Sequence, residues 1–297
     1  MQKDEIFESM DRFKKSYSGL ADATVKNYDL ALNYFHTSAK EHGLFKLADV
    51  PEHIKSHEFA LWLKRRGVKD GSIQYYINRV KQWLRDEGIP VEYTYKVSSD
   101  QKKEKRLKNR ERWFSANDIH TILFEAEKEG GAVELAVNIL LDTGMRIREL
   151  ASMKLENIDG QVLFIDDSKT DPRFVFITSF TLGLLQAFLK LSSRQEMLEE
   201  TDEPTLLFHG LSQPALQKRI TRFLGQIGMK NGADGRGPHT FRHYHASYLY
   251  FVGKMPLDKI AIMLGDKPDV VFSTYIHLSD PEWMQNEVVS IIGKARW

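Results

Sequence analysis

The chain has 297 residues and a formal net charge of +1, from 42 lysines and arginines against 41 aspartates and glutamates. This length predicts two domains, and a hydrophobic content of 42% is enough for ordinary globular cores. No run approaches the roughly 20 apolar residues of a membrane span, and the first residues lack the apolar segment of a signal peptide. The absence of cysteine excludes disulfides and thiolate metal sites. We therefore expect a cytoplasmic protein without a membrane partner.

The first 90 or so residues have the apolar periodicity of helices. Apolar stripes at 25–35, 59–63 and 73–84 predict three of them. Thr24 and Ser72 are the predicted N-caps of the first and third helices, and Gly67 ends the second. The aromatic residues in these stripes are interpreted as core residues.

Charge replaces apolar periodicity between residues 93 and 112. The run KKEKRLKNRER at 102–112 holds seven basic and two acidic residues, so near-neutrality of the whole chain can hide a basic face. The pattern predicts a helical domain at 1–92, a linker at 93–112 and a second domain at 113–297. A solvated linker is one interpretation of the run. The other is DNA binding by its basic residues, which are Lys102, Lys103, Lys105, Arg106, Lys108, Arg110 and Arg112.

The second domain mixes helices with a short hairpin. Ser115 is a predicted N-cap, and an apolar helix at 133–141 follows. Alternating residues at 162–165 and 174–177 predict two strands joined by a turn. Further helices are predicted at 181–191, 215–227, 243–252, 257–263 and 281–292. The predicted fold is mainly α with a small β-hairpin or sheet, which places the domain in the α+β class.

Three residue types in this domain suit phosphodiester chemistry. A tyrosine such as Tyr275 can attack phosphorus, and its phenoxide can leave again. Arginines such as Arg146 and Arg242 hold phosphate oxygens without ever losing their charge. His239 lies three residues before Arg242, which puts the two on one face if this segment is helical. Each residue also has an ordinary structural interpretation, such as a surface ion pair between Arg146 and Glu149 or a core role for Tyr275.

Histidines 243 and 245 could suggest a metal. Two histidines without a third ligand are poor evidence for zinc, so no metal site is predicted.

The order and spacing of four motifs resemble the tyrosine recombinase (phage-type integrase) family. The motifs are TGMRIREL at 143–150, SKTDPR at 168–173, PHTFRHYHAS at 238–247 and LGDKPDVVFSTYIHL at 264–278. The resemblance implies that Tyr275 is the nucleophile and that Arg146 and Arg242 bind the phosphate. It also implies that Lys169 is the general acid and that His239 is an acid/base or phosphate-orienting group.

The resemblance extends to the layout of the whole chain. It implies a core-binding domain and a catalytic domain that close around double-stranded DNA, and strand exchange that uses no metal and no other cofactor. It also implies a phage or mobile-element integrase acting as a dimer or tetramer on DNA, located at the nucleoid if bacterial or phage-encoded. The tail after residue 281 could dock on a neighbouring protomer or pack on its own domain.

One position departs from the family pattern. Asp266 stands where a histidine or tryptophan is usual, and a carboxylate beside the phosphate repels the charge that builds there. At about 5 Å and an effective dielectric of about 20, that repulsion costs roughly 3 kcal/mol. The function predicted is cutting and rejoining of DNA through a 3'-phosphotyrosyl intermediate. The alternatives are a DNA-binding regulator (repressor) with weak or lost catalysis and, less favoured, a topoisomerase-like activity.

Overall fold

The structure is a computed structural model, and it describes residues 4–96, 113–166, 171–191 and 205–275. The chain divides into two compact units, Met1–Lys105 and Arg106–Trp297. The division falls inside the predicted linker at 93–112, and the domain limits themselves stay a prediction. No helix among the described residues has both the length and the apolar character that crossing a membrane requires.

Unit 1 is a helical bundle around one aromatic core. Its helices are α1 Glu5–Tyr17, α2 Asp22–Glu41, α3 Val50–Lys55, α4 Glu58–Arg65 and α5 Asp70–Asp86. The Phe35 ring lies 5.0 Å from that of Phe59 and 5.7 Å from that of Trp83, and all three side chains are fully buried. The buried indole N–H of Trp83 donates to Ser9 Oγ at 2.8 Å, so α5 is tied to α1 without an unsatisfied donor.

The predicted starts of two of these helices are wrong. Helix α2 begins at Asp22 rather than behind Thr24, and α5 begins at Asp70 rather than behind Ser72. The residues before them make no side-chain cap hydrogen bond. Each helix instead has an aspartate in its first turn, and this negative charge stabilises the positive end of the helix dipole. Both helices therefore begin a few residues before the predicted caps.

Unit 2 combines helices with a three-stranded sheet, which confirms the predicted fold class. Its helices are α6 Ala116–Glu129, α7 Gly131–Thr143, α8 Ile147–Ala151, α9 Ser179–Leu191, α10 Gln213–Gln226, α11 Pro238–Phe251, α12 Leu257–Leu264 and α13 Pro268–Thr274. Ser115 caps α6 as predicted, because its hydroxyl accepts from the Asp118 N–H while Asp118 accepts from the Ser115 N–H.

Helix α7 is the centre of unit 2. Its buried residues occupy every side of the helix, and α6, α9, α10 and α11 all pack against it. A helix that is apolar all round belongs inside a core. The C-terminal end of α7 therefore has a fixed position, and the Thr143–Arg146 segment begins there.

The sheet is antiparallel in the order β1 Ile158–Asp159, β2 Val162–Ile165 and β3 Arg173–Phe176. Leu163 pairs with Val175, and both side chains are buried. Strand β1 was not predicted, because a strand of two residues is too short to show a periodic pattern. Arg173 shares the buried face of β3 with Val175, although it is charged.

Two helices near the C-terminus differ from the prediction. Helix α11 begins at Pro238, not at residue 243, and α13 was not predicted at all. Both have proline in the first turn, where its fixed φ favours helix and its missing N–H costs nothing. The earlier start of α11 places His239 and Arg242 within the helix.

Gly144 tests how tightly the end of α7 is packed. Its φ is +61°, and a Cβ there would lie 2.6 Å from His245 Cδ2. We expect Gly144→Ala to lower the free energy of unfolding by about 1–2 kcal/mol for the left-handed backbone and a further 1–3 kcal/mol for overpacking. Urea unfolding measures this loss.

Gly160→Ala is the matched control. Gly160 has a φ of +55°, but a Cβ there would meet nothing within 4 Å. It should therefore show the backbone cost alone. Equal losses in the two variants would contradict the tight packing at Gly144.

Candidate active site

Arg146 lies between the end of α7 and the start of α8, where it is the N-cap residue of α8. Its N–H donates to Glu149 Oε2 at 2.8 Å, and its guanidinium Nη1 donates to Glu149 Oε1 at 3.0 Å. The Glu149 side chain is fully buried, so the interpretation of this pair as a surface ion pair is wrong. The backbone and side-chain bonds together fix the direction in which the Arg146 guanidinium points.

Arg242 lies on α11 and is fully buried. Its Nη1 donates to the carbonyl oxygen of Gly144 at 2.9 Å, and its Nη2 donates to that of Leu264 at 2.8 Å. The ends of α7 and α12 therefore both bind this guanidinium. A buried cation needs such acceptors to offset its lost hydration.

Asp266 bridges the two arginines. Its Oδ1 accepts from Arg146 Nη2 at 2.6 Å, and its Oδ2 accepts from Arg242 Nη2 at 2.5 Å. Burial opposes ionisation, but the hydrogen bond and charge of Arg242 and the charge of Arg146 outweigh it and lower the pKa of Asp266. The ionised carboxylate is thus held by both cations.

Tyr275 follows α13 and is buried against the same arginine. The guanidinium carbon of Arg242 lies 5.0 Å from the centroid of the phenol ring. Ser247 Oγ donates to the Tyr275 carbonyl oxygen at 2.8 Å, which ties the residue to α11. Burial raises the pKa of the phenol, the Asp266 carboxylate adds to this, and Arg242 opposes it. The hydroxyl is therefore protonated at neutral pH.

Two histidine rings lie beside the phenol, 5.1 Å from each other. The rings of His239 and His243 lie 5.7 and 4.8 Å from the Tyr275 ring, and the Trp113 ring lies 4.0 Å from that of His243. His239 keeps part of its surface in solvent. Loss of hydration and the charges of Arg242 and Arg146 lower its pKa, so the ring is neutral at pH 7 and can accept a proton.

His245 is directed away from this group. Its Nδ1 donates to the Leu141 carbonyl oxygen at 2.8 Å, and complete burial lowers its pKa to about 4. Within the ranges that the structure describes, no group of three or more histidine, aspartate or glutamate residues could hold a metal ion.

The structure brings together five of the six predicted catalytic residues: Arg146, His239, Arg242, Asp266 and Tyr275. Lys169 lies outside the described residues, as do the basic run at 102–112 and the tail after residue 275. An open cavity of about 700 Å³ lies beside Arg146 and Asp266. A phosphodiester has room to approach Arg146 from this side.

Sequence reasoning missed Arg173 as a residue of the site. Its Nη2 donates to Glu149 Oε2 at 2.7 Å, and its Nε donates to the Met263 carbonyl oxygen at 2.9 Å. Burial lowers the pKa of this arginine, and the charge of Glu149 opposes the shift. The available signal was its position two residues before Val175, on the buried face of a strand.

Comparison with known proteins shows the family to which the chain belongs. The phage integrase family matches residues 112–282, more than half of the chain. The tyrosine recombinase XerA of Saccharolobus solfataricus is 24% identical over 281 residues, which are 88% of this chain and 84% of that protein. The chain belongs to the phage integrase family, and the predicted family resemblance is confirmed.

Solved structures share the fold. XerH site-specific recombinase, bound to a palindromic difH substrate in a post-cleavage complex, superposes with a TM-score of 0.70 at 18% identity. The match covers 94% of this chain and 83% of XerH. A lambda integrase dimer bound to a COC' core site gives a TM-score of 0.65 at 18% identity, over 93% of this chain and 78% of that one.

The bridge between the arginines predicts a pH-dependent stability. At neutral pH, Asp266→Asn should lower the free energy of unfolding by about 3 kcal/mol, because Arg242 stays buried and loses its carboxylate. The pKa of Asp266 is lowered in the folded state from its ordinary 3.8. The wild-type advantage is therefore fully present above pH 3.8 and disappears as the pH falls through the folded-state value.

Urea unfolding of both proteins over a series of pH values measures this difference. Asp258→Asn is the control, since Asp258 is exposed in the first turn of α12. A wild-type advantage that persisted unchanged into strong acid would contradict the ionised bridge.

Proposed function

We propose that this protein is a site-specific tyrosine recombinase that cuts and rejoins double-stranded DNA through a 3'-phosphotyrosyl intermediate. The observation that carries the proposal is the Asp266 bridge. One carboxylate accepts from both Arg146 and Arg242, so the two guanidiniums converge on a single anion. That anion-binding point lies beside the buried phenol of Tyr275.

In the proposed reaction, the scissile phosphate replaces the Asp266 carboxylate between the arginines. The Tyr275 oxygen attacks phosphorus and forms a P–O bond, while its proton passes to neutral His239. The 5'-oxygen leaves and takes a proton from Lys169. The arginines offset the charge that develops on the pentacoordinate phosphorus, so the step uses the cationic side chains of the protein itself. Attack by a DNA hydroxyl reverses the sequence and rejoins the strand.

Binding to DNA is proposed to involve the basic run at 102–112. Its seven cations would contact backbone phosphates and add affinity that is independent of sequence and depends on salt. XerH and lambda integrase are similar in fold and were solved on DNA, lambda integrase as a dimer. We accordingly propose a dimer or tetramer on DNA, with the tail after residue 281 as a contact between protomers.

Asp266 bears on the rate of the reaction rather than on its class. Its carboxylate competes with the phosphate for both arginines and raises the pKa of Tyr275. Neither effect removes a proposed catalytic group. Asp266 therefore gives no separate support to the alternative of a DNA-binding regulator with weak or lost catalysis.

Removal of the nucleophile tests the proposal. A nicked suicide substrate, carrying a site selected from bound genomic fragments, should give a covalent protein–DNA band with wild-type protein on a denaturing gel. Tyr275→Phe should give no band, because it lacks the attacking oxygen, and should bind the same DNA with unchanged affinity. Tyr248→Phe is the control, since Tyr248 is an exposed tyrosine of α11. A covalent band with Tyr275→Phe, or none with wild type, would refute the proposal.

Replacement of the bridging carboxylate gives a second test. Asp266→His removes the competing anion and restores a hydrogen-bond donor. The rate of covalent capture at saturating protein should rise by about 10- to 100-fold, which corresponds to removing up to about 3 kcal/mol of repulsion. An unchanged or lower rate would mean that Asp266 has a catalytic part of its own.

A further inference from the structure

We infer that Arg173 is a positioning residue for strand cleavage, acting on Arg146 through Glu149; this inference rests on the proposed function. Arg173 is only 5% exposed and its charge is buried beneath the site. Its hydrogen bonds to Glu149 and to the Met263 carbonyl oxygen connect it to the rest of the site.

Three parts of the site meet at Arg173. Its Nη2 donates to Glu149 Oε2 at 2.7 Å, and the other oxygen of that carboxylate accepts from Arg146 at 3.0 Å. Its Nε donates to the Met263 carbonyl oxygen at 2.9 Å, at the end of α12. A Cβ on Gly265 would lie 2.7 Å from Arg173 Nη1, so the backbone just before Asp266 packs closely against the guanidinium.

These contacts allow Arg173 to fix the position of Arg146 during the reaction. It begins β3, and it is bonded both to Glu149, which directs Arg146, and to the end of α12, which precedes Asp266. The planar fork of arginine can serve such divergent acceptors at fixed angles, whereas lysine has a single flexible ammonium. A shift of Arg173 is therefore transmitted through Glu149 to the phosphate-binding guanidinium.

The kinetic test separates binding from chemistry. Arg173→Gln should lower the rate of covalent capture at saturating protein by about 100-fold, as expected for a catalytic group displaced by about 1 Å. The affinity for DNA should change less than about threefold, because the basic run supplies most of the sequence-independent contacts. An unchanged capture rate would overturn the inference and leave the proposed function standing.

A double-mutant cycle with Glu149→Gln distinguishes positioning from general destabilisation. If Arg173 acts through Glu149, the double variant should capture DNA about as fast as Glu149→Gln alone, because Arg173 has no further effect once its link to Arg146 is gone. Losses that simply multiply would overturn the inference. Asn138→Ala is the control for stability, since Asn138 is a buried polar residue of α7 whose side chain donates to the Glu134 carbonyl oxygen. It should unfold at a lower temperature and keep the wild-type capture rate.

A measurement without DNA keeps the inference testable should wild-type protein form no covalent complex. Hydrogen exchange of the Arg146 guanidinium protons can be followed by NMR, with the signals assigned by their loss in Arg146→Lys. We expect exchange at least about tenfold faster in Arg173→Gln than in wild type, because the hydrogen bond to Glu149 is more often broken. Equal exchange rates would overturn the positioning role, whatever the outcome on DNA.

Discussion

Unit 2 depends on a balance of buried charge. Three guanidiniums, from Arg146, Arg173 and Arg242, share two carboxylates, from Glu149 and Asp266. Burying a charge is costly unless a partner and hydrogen bonds offset the lost hydration. Neither carboxylate can be removed without leaving a buried cation short of a partner. The positions of α8, β3, α11 and the loop after α12 are therefore linked by electrostatics as well as by packing.

The anion between Arg146 and Arg242 gives this site a particular property. In the free protein Arg146 and Arg242 already share the Asp266 carboxylate, so an incoming phosphate gains only the difference between its own binding energy and that of the carboxylate it replaces. Binding of an anion between Arg146 and Arg242 is consequently weaker than two unpaired arginines would provide. Contacts elsewhere along the DNA must supply the remaining affinity, which favours longer duplexes over isolated phosphates.

The sequence predicted the fold class, the family and the group of five described site residues, because those depend on periodicity and motif order. It could not establish whether Asp266 pairs with an arginine, since a contact across 120 residues depends on how α7 and α12 meet. The alternative of a surface ion pair at Glu149 is wrong because that side chain is fully buried, where it also accepts from Arg173 on β3. The start of α11 was placed too late because polar residues at 238–242 obscure its apolar pattern.

The contact between Gly265 and Arg173 links two distant positions in the sequence. Any side chain at 265 would collide with the guanidinium at 173, and it would also have to adopt a φ of +64°. Among natural relatives, a residue larger than glycine at position 265 should therefore occur together with a residue smaller than arginine at position 173. Chimeras that exchange the hairpin between family members would have to carry both positions across together.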